Sequence, residues 1–121
     1  MLVVDDNRDA AFSLAMLLRL MGSETQTAES GEAALEAFET FKPEVIFMDI
    51  GLPKLSGAEA CREIRNRTGG NDIFIAALTG WGQEDDRLEC EGSRFDERLL
   101  KPVDVATLQR VMNSLPQAEQ G

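Results

Sequence analysis

Four apolar runs in this chain give way to residues with reactive chemistry. Asp5 and Asp6 follow the first run in MLVVDDN, and Asp49 follows a second in VIFMDIGLP. Thr79 ends a third in IAALTGWG, and Lys101 ends a fourth in RLLKPVD. If the three carboxylates share one crevice they repel each other. A pair about 4 Å apart costs roughly 4 kcal/mol at an effective dielectric near 20. A divalent cation offsets that cost directly. Mg²⁺ favours one or two carboxylates, waters and a phosphate oxygen, whereas Ca²⁺ wants more protein oxygens. Transition metals favour imidazole or thiolate, and the chain has no His. A metal alone requires neither Lys101 nor Thr79, but a metal together with a phosphoryl group does. The Asp49 carboxylate can act as a nucleophile and form an acyl phosphate. In-line transfer then needs charge stabilisation on the equatorial oxygens. Mg²⁺, the Lys101 ammonium and the Thr79 hydroxyl can take one oxygen each. Singly, Asp-Asp and Thr79 read as turn or helix caps and Lys101 as a surface lysine. Their joint placement at strand ends is what points to function.

That chemistry requires a scaffold that brings the four ends together. Candidate strands are Leu2–Val4, Ser23–Thr27, Val45–Met48, Ile73–Leu78 and Arg98–Leu100. Candidate helices alternate with them near Arg8–Met21, Gly31–Phe41, Gly57–Arg67, Glu84–Glu91 and Val105–Leu115. Alternating β and α units imply an α/β fold, a doubly wound five-stranded parallel sheet covered on both faces. The uninterrupted apolar strings VIFM and IFIAAL suit strands buried on both sides. Asn7, Ser30, Ser56 and Asp104 are placed to cap helix starts, and Gly22 suits the end of the first helix. In a parallel sheet the C-terminal strand ends share one edge, and ligands bind there at the topological switch point.

The chain has 121 residues, 43% of them hydrophobic, which suits one compact domain. Its net charge of −10 argues against direct contact with nucleic acid or an anionic membrane. No apolar run approaches the ~20 residues needed to span a bilayer, and no signal peptide is visible, so a cytoplasmic location is expected. Cys61 and Cys90 lack metal or disulfide spacing. Without His, the His-based triads are excluded. The first strand starts at residue 1, which leads us to expect excision from a longer chain. PQAEQG at the other end reads as a frayed tail.

VVDDN, VIFMDIGLPKLSG, ALTGW and LLKPVD occur in an order and spacing that resemble the receiver domain of two-component response regulators, over nearly the whole length. The resemblance implies a single receiver domain over residues 1–121, with 116–121 as the tail, and the flavodoxin-like strand order 2-1-3-4-5. It implies that Asp49 is the phosphoacceptor and that Asp5 and Asp6 hold Mg²⁺, with Mn²⁺ as a substitute ion. The backbone carbonyl of Gly51 would complete the metal site, and Thr79 and Lys101 would hold the phosphoryl group. The donor would be a phosphohistidine on a histidine kinase or histidine phosphotransfer domain, which explains why the chain needs no His of its own. LKP reads as a cis peptide before Pro102 that aims Lys101 inward. ALTGWGQEDDR and KPVD look like receivers joined to hybrid sensor histidine kinases. A stand-alone regulator and a degenerate docking scaffold are the alternatives. A homodimer on the face formed by residues 84–91, 98–100 and 105–115 is a further implication.

Three positions depart from the family pattern. Arg98 stands where an aromatic or His often serves as a switch, so an Arg–carboxylate switch is expected instead. Arg94 replaces a usual helix-ending Gly, and Gly92 can take over the left-handed cap. Gly51 offers no side chain beside the phosphoryl group, while Trp81 is bulky on the other side. In the first helix, Ala10, Leu14, Leu17, Leu18 and Met21 share a face that should meet the sheet. Phe12, Met16 and Leu20 form a second apolar stripe, expected on the solvent side as a partner-docking surface. Two other functions fit less well. A phosphohydrolase with an aspartyl nucleophile needs a second acid two residues on, where this chain has Gly51. A nucleotide or flavin binder needs a Gly-rich phosphate loop after the first strand, where VDDN would repel phosphates.

Overall fold

The computed structural model describes residues 1–52, 54–70, 72–80, 95–101 and 103–114. Among the described residues there are five strands and four helices. They are β1 Leu2–Val4, α1 Arg8–Leu20, β2 Gln26–Ala28, α2 Gly31–Phe41, β3 Val45–Asp49, α3 Gly57–Arg65, β4 Phe74–Thr79, β5 Glu97–Leu100 and α4 Val105–Ser114. All four strand pairings are parallel, and the sheet order is β2-β1-β3-β4-β5. The expected helix at Glu84–Glu91, Trp81, Cys90, Gly92, Arg94, the peptide bond before Pro102 and the tail 116–121 all lie outside the described residues.

The continuous apolar strings divide their side chains between two cores, because successive strand residues face opposite ways. Leu2, Val4, Ile46, Met48 and Ile75 pack with Ala34 and Phe38 of α2 and with Cys61 and Ile64 of α3. Val3, Val45, Phe47, Ala76 and Leu78 pack with Leu14 and Leu18 of α1 and with Leu108 and Val111 of α4. β1, β3 and β4 are therefore apolar on both faces for a separate reason, and the middle of the sheet is sealed from water. Its C-terminal edge stays accessible.

All four expected caps operate. Asn7 Oδ1 accepts the Ala10 N–H and Ser30 Oγ accepts the Ala33 N–H. Ser56 and Glu59 form a reciprocal capping box. Asp104 accepts the Thr107 N–H at 2.8 Å, which holds its carboxyl below the usual carboxylate value. The end of α1 explains a correction to the second strand, expected at Ser23–Thr27 but observed at Gln26–Ala28. Gly22 has φ +96°, its N–H bonds the Arg19 carbonyl, and the Ser23 N–H bonds the Leu18 carbonyl. This Schellman closure uses Ser23 as part of the helix stop. The Thr25 carbonyl is then taken by the Arg19 guanidinium. Pairing starts only where the Gln26 N–H reaches the Met1 carbonyl.

The buried face of α1 is centred on Ala11, Leu14, Ala15 and Leu18, one position on from the expected Ala10. Phe12, Met16 and Leu20 are 59%, 43% and 79% exposed, as the helical spacing anticipates. The third helix stops at Arg65, two residues short of the expected Arg67. Asn66 and Arg67 close the turn with backbone bonds to Arg62, Glu63 and Ile64.

Candidate functional site

The ends of β1 and β3 lie side by side, with Val4 opposite Met48 in the register. The residues that follow them are thus neighbours at the C-terminal edge. Asp5 and Asp49 are buried and Asp6 is exposed, and one carboxylate oxygen from each lies within 4.8 Å of the others. The two buried acids are held alike. Asp5 Oδ1 accepts the Asn7 N–H at 3.0 Å, and Asp49 Oδ1 accepts the Gly51 N–H at 2.9 Å. Each bond reaches two residues ahead and fixes its carboxylate against the local turn. The second oxygens are left facing Lys101. Its Nζ lies 2.9 Å from Asp5 Oδ2 and 3.2 Å from Asp49 Oδ2.

Lys101 arrives from β5, whose pairing with β4 runs through Thr79 opposite Leu100. The Lys101 N–H then bonds the Thr79 carbonyl at 2.7 Å, extending that ladder by one residue. The Thr79 hydroxyl is half-buried and donates to the Leu99 carbonyl at 3.3 Å. The structure thus gathers Asp5, Asp6, Asp49 and Lys101 around one point, with the Thr79 hydroxyl bonded to the backbone of β5. Gly51 is exposed in the turn after Asp49. Arg98 is exposed on β5, on the opposite face from buried Leu99.

One ammonium among three carboxylates leaves an excess of negative charge. Burial pushes the Asp49 carboxyl above its usual value, opposed by the Gly51 N–H and the Lys101 ammonium. Burial alone would lower the Lys101 pKa. The hydrogen bond to Asp5 and the charge of Asp49 outweigh it and raise the ammonium above its ordinary value. The donor set consists of hard oxygens. Such a set fits a magnesium-like ion and offers nothing to a soft metal.

Three further positions that pack behind the site escaped sequence reasoning. Arg65 is 5% exposed and donates to the Gly70 and Ile73 carbonyls and to Asp96 Oδ2. Asp96 also accepts the Ile75 N–H, so the clasp ties α3 to the first residues of β4 and β5. The readable signal was an arginine on the apolar stripe of α3, at i+4 from Cys61. Gly31 and Gly57, the first residues of α2 and α3, pack against the loop that follows Asp49.

Residues 1–113 match the family described as the response regulator receiver domain. The response regulator MprA of Mycolicibacterium vanbaalenii is 32% identical over 94% of this chain and 48% of its own length. The transcriptional regulatory protein PrrA of Mycobacterium bovis is 36% identical over 88% of this chain and 45% of its own. The chain thus spans about half the length of these curated relatives. Among solved structures, the receiver domain of a sensor histidine kinase from Pseudomonas aeruginosa is 33% identical, with a TM-score of 0.85. The match covers 93% of this chain and 92% of that one, which holds a magnesium ion in its active-site cleft. Since the family match runs through nearly the whole chain and the solved relative shares its fold, the chain belongs to the response regulator receiver domain family, the phosphoacceptor modules of two-component signalling.

Proposed function

We propose that Asp49 is the phosphoryl acceptor, working in a metal site made by Asp5, Asp6, Asp49 and the backbone carbonyl of Gly51. The carrying observation is the orientation of Asp49: Oδ1 is tied to the Gly51 N–H while Oδ2 faces the Lys101 ammonium. One oxygen is immobilised and the other is presented to the cleft. Mg²⁺, with Mn²⁺ as a substitute, supplies charge neutralisation on the phosphoryl oxygens when bound. In the transfer, Asp49 Oδ2 forms the new O–P bond while the P–N bond of a phosphohistidine breaks, and the leaving imidazole takes up a proton. Lys101 then neutralises charge on the transferred group. The Thr79 hydroxyl supplies a further donor, and to do so it leaves the Leu99 carbonyl. That exchange links the site to β5 and to exposed Arg98, the candidate switch residue.

The donor is a histidine kinase or a histidine phosphotransfer domain, docking beside α1 over Phe12, Met16 and Leu20. The parent is a hybrid sensor kinase in the cytoplasm. The 33% identity to a kinase receiver supports that context. A pairing of two copies through β5 and α4 belongs to the same reading. The domain turns over no outside substrate, because a second acid is lacking at Gly51. Among the described residues, no helix is long and apolar enough to cross a membrane.

Incubation with Mg²⁺ and acetyl phosphate tests the proposal. The expected result is about one phosphoryl group per chain, lost in Asp49→Asn. No labelling would favour a docking scaffold, and many turnovers would favour a hydrolase.

A further inference from the structure

We infer that Gly31 and Gly57 are positioning residues that set the depth at which the loop after Asp49 sits and thereby set cation affinity at the acidic cleft. Both are buried first residues of helices, and neither has a left-handed φ, so conformational freedom does not explain them. Space does. A Cβ on Gly57 would lie 2.3 Å from the Asp49 carbonyl oxygen and 2.7 Å from Ile50 Cα. A Cβ on Gly31 would lie 2.6 Å from the Leu55 carbonyl oxygen. The closest atoms are backbone in both cases, so no flexible side-chain end can yield.

The two contacts fall at the two ends of one loop. Gly57 backs the peptide of the proposed acceptor itself, and Gly31 backs Leu55, six residues on. Ile50, which leads into Gly51, and Leu55 are therefore each backed by a helix N-terminus pressed against backbone. Ordinary contact begins at 3.4 Å, so a methyl at Gly57 parts the two backbones by about 1 Å, a displacement of a size that misaligns reactive groups. The Asp49 carboxylate reaches Lys101 at 3.2 Å, and a shift of that size takes it out of hydrogen-bond range. Gly31 acts from a helix that contributes no ligand, which makes α2 part of the site through packing alone.

This inference rests on the metal site proposed above, and Mg²⁺ titration by calorimetry separates the two. Gly57→Ala, Gly31→Ala and a control, Gly22→Ala, are each titrated well below their melting temperatures. Gly22 has φ +96° with no atom within 4 Å of a would-be Cβ, so its alanine loses stability without touching the loop. The expected result is a Mg²⁺ affinity weaker by about tenfold or more in the Gly31 and Gly57 variants, with the control unchanged. Where a variant is unfolded in buffer, trimethylamine N-oxide restores the compact state before titration. Wild-type affinity in both folded variants overturns the inference. Absence of Mg²⁺ binding by the wild type overturns the metal site itself, and the inference with it.

Discussion

Lys101→Met isolates the contact on which the metal-free cleft depends. The ammonium lies 2.9 Å from Asp5 Oδ2 and 3.2 Å from Asp49 Oδ2, and its side chain is 29% exposed against 3% and 7% for the two acids. Removing it leaves two buried carboxylates facing each other. Breaking a buried ion pair costs about 3–5 kcal/mol, and partial solvation of the lysine lowers the expected loss to about 2–3 kcal/mol. At the unfolding entropy typical of a chain this size, that loss lowers the melting temperature by about 10 °C. With Mg²⁺ present the gap narrows. In the wild type an entering cation competes with the ammonium for Asp5 and is repelled by it. In the variant neither cost applies. A saving of about 1.4 kcal/mol makes Mg²⁺ bind about tenfold tighter. At a hundredfold excess over the variant's dissociation constant the ion adds about 2.7 kcal/mol to the variant and about 1.4 kcal/mol to the wild type, which closes about half of the gap. Urea unfolding followed by circular dichroism, with and without Mg²⁺, reads both effects, and calorimetry reads the affinity directly. Equal stability in chelator, or weaker Mg²⁺ binding by the variant, would refute the competition.

Asp96→Ala removes the half-exposed carboxylate held by buried Arg65, and the solvation of the acid lowers the expected cost to about 2 kcal/mol in urea unfolding. A loss under about 1 kcal/mol would make the clasp incidental. Lys42 and Lys54 occupy left-handed conformations with φ 54° and 61°, so Lys42→Gly and Lys54→Gly should each raise the urea midpoint, by about 0.5–1 kcal/mol in stability. A lowered midpoint at either site contradicts the strain. The Lys101 ammonium is raised above 10.5 in the folded state, so the stability it contributes is complete below pH 10.5 and is lost as pH rises through the folded value. The stability gap between wild type and Lys101→Met should therefore narrow above pH 10.5, and a constant gap would exclude the linkage. Asp49 is raised above 3.8 and has the same sign, so its contribution favours the fold below that value and declines as pH rises past the folded one.

The sheet was legible because its signal is local. Strands buried on both faces must be apolar at every position, and VIFM and IFIAAL are so without reference to any partner. The caps were legible for the same reason, since Asn7, Ser30, Ser56 and Asp104 each act within three residues of their own position. The second strand was misplaced because two local signals competed. Ser23–Thr25 has acceptable strand composition, but Gly22 commits the backbone to a helix stop that consumes those residues. The acidic cleft was legible by a different route: strand ends of a parallel sheet converge, so noting which residue type ends each strand is enough to predict Asp5, Asp6, Asp49 and Lys101 together. The bond from the Thr79 hydroxyl to the Leu99 carbonyl was not predictable, because a hydroxyl rotor chooses among acceptors that only the folded register supplies.

What the sequence hides follows from the same distinction. Gly57 within LSGAEA reads as an ordinary helix start, because what excludes a side chain there is the Asp49 carbonyl eight residues away. Arg65 reads as one more surface charge near the end of α3, because its acceptors come from Gly70, Ile73 and Asp96. Both residues act on the backbone of strands that carry the site: Gly57 behind the end of β3, Arg65 at the first residues of β4 and β5. The reactive groups are set by residue type at four strand ends, while their separations are set by contacts that no strand carries itself. Substitutions behind the site are therefore expected to change Mg²⁺ affinity with every reactive residue intact, whereas substitutions of the exposed stripe Phe12, Met16 and Leu20 are expected to leave it unchanged.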